Sequence, residues 1–329
     1  MPTWESGPAA VSVVVTACAA GERLTALLAA ICAQRPAPLE ILMVDNRPAT
    51  SGVAELVRRL DRPEVRYVPQ PRKGLSRARN AGLAAARAAV VAFTDDDVEP
   101  ADDWLAQLAA PFADPSVACV TGMIVPVRVR TPAERWFQQF GGYAKGERMR
   151  RFTLESAVRE GLYPYRAGRF GSGANLAFRR ETLIAVGGFE ETLGAGTRAG
   201  GGEDLDIFLT VLRAGHTLVY QPAARVAHPS HPEYRQLRRQ LFGYGVGLSA
   251  TMTKRFLTCA PDRRAMLRSA DAAARYLLSG GSPKNRGREA DYPKTLIAAE
   301  LAGVLLGPPA YLWSRASRPW RCVALRADR

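Results

Sequence analysis

The nine residues Ala89-Val90-Val91-Ala92-Phe93-Thr94-Asp95-Asp96-Asp97 set the architecture of the chain. Five apolar residues without a polar break describe a strand buried on both faces, as the central strands of parallel sheets are, and three carboxylates follow it directly. Working back toward the start, an Ala-rich helical pattern covers Leu75 to Ala88, a short strand Val65 to Val68 and a helix Val53 to Leu60. Before these come a strand over Leu39 to Val44, a helix over Glu22 to Ala33 and an apolar strand at Val11 to Val15. Strand and helix alternate as in βαβ units, so an α/β fold with a mainly parallel central sheet flanked by helices is expected. Three of the strands end at polar groups, Thr16, Asp45 and the run Thr94 to Asp97. Open α/β sheets bind ligands at the carboxyl ends of their strands, which makes residues 1–115 a nucleotide-binding half.

Beyond residue 116 the pattern becomes mixed. Strands are expected at Val117 to Thr121, Met123 to Val129, Ala174 to Arg180, Thr217 to Tyr220 and Ala224 to Ala227, with helices at Pro132 to Phe140 and Asp204 to Ala214. A polar, Arg-rich connection runs from Lys145 to Arg169. Residues 231–329 read as a mainly helical region, with helices at Glu233 to Lys254 and Asp262 to Leu278 and a Gly- and Lys/Arg-rich loop at Ser279 to Arg288. Leu296 to Trp313 has Glu300 as its only charge, but Gly307-Pro308-Pro309 is expected to end its helix after about a dozen residues, ~18 Å, short of a ~30 Å hydrocarbon core. Flanked by Lys294, Arg315, Arg318 and Trp320, this segment suits a membrane interface and a core or dimer helix equally well.

With 329 residues, 47% apolar and 23% charged, disorder and fibrous repeats are excluded. The five cysteines, Cys18, Cys32, Cys119, Cys259 and Cys322, never fall in a CxxC spacing, which argues against a disulfide framework or a zinc cage. Met1-Pro2-Thr3-Trp4-Glu5 opens no secretory signal, so the cytoplasm is the expected address. The net charge of +14 is unevenly spread: residues 1–225 carry 27 Lys/Arg against 24 Asp/Glu, whereas residues 226–329 carry 18 against 7. Such a basic region suits an anionic membrane surface, an acidic substrate or nucleic acid.

Three adjacent carboxylates repel one another unless a cation or a set of donors compensates. Alternate positions of an extended backbone share a side, so Asp95 and Asp97 can hold one Mg²⁺ or Mn²⁺ while Asp96 points away. A second acidic cluster, Gly200-Gly201-Gly202-Glu203-Asp204-Leu205-Asp206, joins a glycine run to a helix N-terminus. Carboxylates there complement the helix dipole, and the glycines would let a loop close over a ligand.

Taken in order, Asp45, Gly74-Leu75-Ser76-Arg77-Ala78-Arg79-Asn80-Ala81-Gly82, Phe93 to Asp97, Gly171-Ser172-Gly173-Ala174-Asn175-Leu176-Ala177-Phe178-Arg179-Arg180, Gly187-Gly188-Phe189 and Gly202-Glu203-Asp204 resemble the ordered motifs of family 2 glycosyltransferases with the GT-A fold. The resemblance covers about residues 10–230 and implies a catalytic domain over 1–230, with 116–230 as the acceptor half. It implies an inverting transfer of sugar from a nucleotide-diphosphate donor, UDP-linked by preference and dTDP- or GDP-linked as alternatives, to an acceptor hydroxyl, hydrophobic or lipid-linked among the options. Asp45 would lie near the nucleobase, Asp95 near the ribose and Asp97 on the metal, with Asp95 and His228 as further metal contacts. Thr16, Ala17, Glu22, Lys73, Arg79 and Asp96 would line the donor. Asp204 would be the general base, with Glu203 as the alternative.

Two other classes compete. A nucleotidyltransferase shares an α/β core, but its glycine-rich segment would follow the first strand, and the string Gly194-Ala195-Gly196-Thr197-Arg198 lies far downstream. A nucleic-acid-binding protein would explain the basic tail and not the strand-end carboxylates, which repel phosphate unless metal-bound, so nucleic acid is not expected as a partner.

Overall fold

The apolar runs at Val11–Ala17, Glu40–Asp45 and Val90–Asp95 form strands covered on both faces, and Val65–Pro69 forms a half-buried strand at the sheet edge. The computed structural model describes residues 10–156 and 162–317. The expectations on Met1 to Glu5, Arg318, Trp320 and Cys322 lie outside them. The elements run β1 (Val11–Ala17), α1 (Glu22–Cys32), β2 (Glu40–Asp45), α2 (Val53–Leu60), β3 (Val65–Pro69), α3 (Leu75–Ala85), β4 (Val90–Asp95), β5 (Glu99–Pro100), α4 (Trp104–Ala109), β6 (Val117–Pro126) and α5 (Pro132–Phe140). They continue with β7 (Arg150–Phe152), β8 (Asn175–Arg179), α6 (Arg180–Ala185), α7 (Glu203–Arg213), β9 (Thr217–His228), α8 (Tyr234–Thr258), α9 (Ala260–Arg268), α10 (Ala270–Leu278) and α11 (Lys294–Ala316).

The sheet order is β3-β2-β1-β4-β8-β6-β9-β5, with β7 paired on β9. Strands β1 to β4 are parallel, β8 is antiparallel to β4 and β6, and β6 and β9 run parallel to each other. Register brings the polar strand ends together: Ala17 lies opposite Asp45, and Thr16 opposite Asp95. Because β8 is reversed, its amino end arrives there too, and the Thr94 hydroxyl donates to the Ala174 carbonyl at 2.9 Å. Two apolar layers clamp the sheet, one built on Val13, Val15, Leu27 and Ile31, the other on Val14, Phe93, Phe178 and Phe208.

Three local expectations change. Strand β6 is continuous through Gly122, and β9 through Gln221-Pro222-Ala223, where the sequence predicts breaks. A register shift at Gly122/Met123 absorbs the mismatch, and the buried Asn175 amide caps it by donating to the carbonyls of Met123 (2.9 Å) and Ala224 (2.8 Å). The helix expected over Asp262 to Leu278 divides at Ser269 into α9 and α10.

The third change concerns the helix expected to stop at Gly307. Helix α11 passes through Pro308 and Pro309 and runs 23 residues, ~34 Å, long and apolar enough to cross a bilayer, with 28% of its apolar window buried. Each proline removes one helical donor, but the freed carbonyls belong to Val304 and to Leu305, which is 77% exposed, so the outer face hydrates. The inner face is held by close backbone packing: a Cβ on Gly303 would strike the Phe242 carbonyl, and one on Gly307 the Ser249 hydroxyl, both on α8. Tertiary contact overrides the local helix breaker.

Candidate active site

The centre of the site is a buried arginine. Arg79, on α3, is 2% exposed by its side chain; its guanidinium donates to Glu203 (2.9 Å), to the Gly173 carbonyl (2.9 Å) and to Asp95 (3.3 Å), and it lies over the Phe189 ring at 5.4 Å. One fork therefore ties the end of β4, the loop before β8 and the start of α7, three segments far apart in sequence. Gly173 permits this approach, since a Cβ there would come within 2.8 Å of the guanidinium. Arg79, expected to line the donor, has its guanidinium committed to Glu203, Asp95 and the Gly173 carbonyl.

Replacing Arg79 with Met keeps most of the volume and leaves Glu203 unpaired. The expected cost is roughly 3 kcal/mol of folding stability in urea denaturation at pH 8, because a buried carboxylate loses its partner. Burial and the neighbouring Asp204 already push Glu203 up to about 7 against the pull of Arg79. A carboxyl raised in the folded state loses stability as pH climbs through its folded pKa, so the penalty should grow with pH. A loss below ~1 kcal/mol at pH 8 would contradict the bridging role.

The carboxylates after β4 separate by environment. Asp96 is pushed up to about 6 by burial and by the charges of Asp97 and Asp95, and it takes the backbone N–H of Cys18 at the end of β1. Asp97 faces His228 from the end of β9, with Oδ1 and Nε2 3.5 Å apart. The His228 Nδ1 lies 2.7 Å from the Pro229 carbonyl, which can only accept; Nδ1 therefore carries the proton and Nε2 is the nitrogen turned to Asp97. Asp95 is turned to Arg79. Among the described residues no three His, Cys, Asp or Glu side chains gather as a ready ligand set. The donors present suit a hard or borderline cation completed by phosphate oxygens, which needs only one or two carboxylates from the protein.

At the second acidic cluster the two neighbours differ. Glu203 is buried and paired, whereas Asp204 is half-buried, with Oδ2 accepting the Gly173 N–H (3.0 Å) and Oδ1 its helix-start N–H from Leu205 (2.8 Å). Of the glycines before it, Gly202 has φ 87°, is buried under α8, and its carbonyl accepts from the Thr251 hydroxyl at 2.9 Å, whereas Gly200 is exposed. A close crossing of α8 at Gly247 explains Gly202.

Of the other predicted donor residues, Asp45 is fully buried and both its oxygens are engaged, one by Ser51 (2.5 Å) and Tyr67 (3.0 Å), the other by the Arg47 N–H (2.9 Å). It shapes the loop after β2. Ala17 is buried, Thr16 half-buried, and Glu22 and Lys73 are exposed. Asn46 was missed: its amide donates to the carbonyls of Gln70 and Arg72, and its oxygen accepts from Gly74, fixing the loop that carries Lys73.

A wall facing the carboxylates was also missed. Burial lowers Lys145 to about 8, with Asp204 pulling it back, and its ammonium donates to the Gly142 carbonyl at 3.1 Å. Tyr143 stands 5.2 Å from His228, and the Gln240 amide donates to both Tyr143 (2.9 Å) and Tyr244 (2.8 Å). Burial raises both phenols, and the fields of Asp95 and Asp97 on Tyr143, and of Asp204 on Tyr244, add to it. The glycines flanking Tyr143 to Lys145 were the available signal; Gln240 and Tyr244 sit on a helix outside every quoted motif.

The profile of glycosyl transferase family 2 matches residues 12–187, more than half of the chain. The pre-mycofactocin glycosyltransferase of Mycobacterium tuberculosis is 34% identical over 197 residues, 59% of this chain and 37% of that protein. The succinoglycan biosynthesis protein ExoM of Rhizobium meliloti is 30% identical over 218 residues, 63% of this chain and 62% of ExoM. The chain thus spans little more than a third of the mycobacterial relative's length. Among solved structures, the mannosyltransferase PcManGT from Pyrobaculum calidifontis, in complex with GDP-Man and Mn²⁺, aligns over 94% of this chain and 89% of its own with a TM-score of 0.60 at 20% identity. GalNAc-T7 with UDP, GalNAc and Mn²⁺ aligns over 80% of this chain and 55% of its own, with a TM-score of 0.50 at 17% identity. These likenesses establish the GT-A fold. With motifs, sheet order and profile in agreement, the chain belongs to glycosyl transferase family 2.

Proposed function

We propose that the chain is an inverting glycosyltransferase that moves a sugar from a nucleoside diphosphate to an acceptor hydroxyl. The observation that carries the reading is the meeting of Asp97 with His228, brought from the ends of two separate strands to 3.5 Å, while Arg79 ties Asp95 to the helix start that carries the half-buried Asp204. Asp97 and His228 would hold a divalent cation, whose chemistry is to neutralise the leaving diphosphate. Asp95, fixed by Arg79, faces the donor, and Asp204 takes the acceptor proton as its oxygen attacks the anomeric carbon. Glu203 is a weaker candidate base because Arg79 occupies it. GDP-Man and UDP in the two structural neighbours support a nucleotide-linked donor and leave UDP, GDP and dTDP open. On this proposal the catalytic unit comprises residues 1–230 and the basic helical region residues 231–329. Inversion is tested by proton NMR of the anomeric signal of the released or transferred sugar: an α-linked donor should give a β product first. An α product appearing first would overturn the single-displacement reading.

We further propose that α11 lies on an anionic membrane. Ala298, Ala302, Leu305, Leu306, Pro309, Leu312 and Trp313 are exposed and recur at helical spacing, forming one apolar stripe. Glu300, the only acidic residue of the helix, is buried and neutralised by Lys284 and Arg288, so the stripe carries no anion. Arg198 lies 5.2 Å over Trp313 and Arg315 is exposed beside it, the pairing of aromatic and basic groups that suits a headgroup layer. Each well-placed Arg or Lys adds ~1 kcal/mol on an anionic surface, so binding should be salt-sensitive. Sedimentation with phosphatidylglycerol vesicles at low salt tests this; a folded protein that stays in the supernatant would leave the stripe to a second subunit.

A further inference from the structure

A row of aromatic side chains runs from His228 out along α5 and α8. Tyr143, just past α5, stands 5.2 Å from the His228 ring. Gln240 and Tyr244 share a face of α8 at i,i+4 spacing, and the Gln240 amide donates to both phenols, Tyr143 at 2.9 Å and Tyr244 at 2.8 Å. Phe140 lies nearly parallel to the Tyr244 ring with 6.0 Å between centroids, and the Lys284 ammonium covers Phe140 at 5.6 Å. Two features of this row point to a ligand. Tyr244 keeps 38% of its surface open although protein surrounds its hydroxyl closely enough for burial to raise it, the situation of a side chain on the wall of a cleft. The Tyr143 hydroxyl accepts from Gln240 and, at 3.4 Å, from Tyr244, while among the described residues no acceptor takes its own proton. A donor left over beside His228 is available to an oxygen of a bound molecule. The two phenols also feel both acidic groups of the site, Tyr143 the charges of Asp95 and Asp97 and Tyr244 that of Asp204, so the row belongs to the reaction cleft.

The chemistry of the row selects among acceptors. A pyranose has a face of C–H groups and an edge of hydroxyls, and the row sets ring faces beside phenol and amide groups, so both kinds of surface are matched. A hydrocarbon chain would desolvate those polar groups and return no hydrogen bond. At the far end Lys284 is paired with Glu300 at 2.5 Å, so it offers an anionic ligand no uncompensated charge. We propose that Tyr143, Gln240 and Tyr244 form the acceptor subsite, and that the acceptor presents its hydroxyl on a neutral sugar ring stacked on Tyr244. The inference rests on Asp204 as the base that faces the acceptor. It gives α8, which lies beyond the residues 12–187 matched by the family profile, the task of selecting the acceptor.

The test is saturation-transfer NMR on the full chain with Mn²⁺ and UDP or GDP present. The probes are the methyl glycosides of glucose, galactose, mannose and N-acetylglucosamine and, separately, the prenyl alcohol geraniol. At least one glycoside should receive saturation, strongest at its ring C–H protons. Tyr244→Ala should weaken the affinity for that glycoside by roughly fivefold to tenfold, the scale of one lost ring contact, and Tyr244→Phe, which keeps the ring, by less than about threefold. Gln240→Ala releases both phenols and should weaken binding in the same direction; it gives the same decision if a thermal melt shows Tyr244→Ala unfolded. Nucleotide affinity with Mn²⁺, measured separately by calorimetry, should be unchanged in every folded variant. A parent that binds glycoside but no nucleotide would count against the donor reading and leave the row standing. No saturation of any glycoside by the folded parent, parent-like affinity in Tyr244→Ala, or saturation of geraniol alone overturns the subsite.

Discussion

Asp204→Asn should bind nucleotide donor as the parent does and turn over roughly 10² to 10⁴ times more slowly, the range for removing a general base. The substitution is nearly silent in shape. An asparagine oxygen still accepts the Gly173 N–H that holds the carboxylate at 3.0 Å, so the loop before β8 stays in place. What disappears is a group able to take a proton in the half-buried position facing Tyr244 and Lys145. Glu203 cannot replace it without leaving Arg79, to which it is bonded at 2.9 Å. Steady-state turnover measured beside calorimetric donor affinity separates the two effects. Turnover within a factor of about three of the parent would remove Asp204 from the chemistry.

The second large effect is expected at Asp97→Ala. Substituting residues that only orient metal ligands weakens metal binding by ~10- to 100-fold, so loss of a ligand should exceed ~100-fold in Mn²⁺-dependent donor affinity. Stability should be unchanged or slightly higher, because a member of a mutually repelling cluster is removed: burial and the charges of Asp97 and Asp95 are what raise Asp96. A variant that unfolds would point to a structural role for the Asp97–His228 contact instead.

The parallel half of the fold was legible because Val13 to Val15, Ile41 to Val44 and Val90 to Phe93 are uninterrupted apolar runs, each stopped by a polar residue. Register alone then places Asp45 opposite Ala17 and Asp95 opposite Thr16. The mixed half was less legible. Gly122 and Pro222 read as strand ends, yet a shift in pairing and the Asn175 amide carry both strands through. Pro308 and Pro309 read as a helix end, and close contact with α8 at Gly303 and Gly307 prevails. Within the site, the acidic residues announce themselves by position at strand and helix ends. Arg79 does not: its partner Glu203 lies 124 residues later, and only the fold brings the two together. Lys145, Gln240 and Tyr244 lie outside any motif, and only tertiary packing brings them opposite the carboxylates.

The most direct test of the account is a calorimetric titration of the parent protein with UDP, GDP and dTDP, each with Mn²⁺ and again in EDTA. At least one should bind with the metal and weaken more than tenfold without it, since Asp97 and His228 act on the donor through the cation. Binding of every nucleotide that is indifferent to the metal, or no binding at all by the folded protein, would contradict a metal-held donor at the ends of these strands.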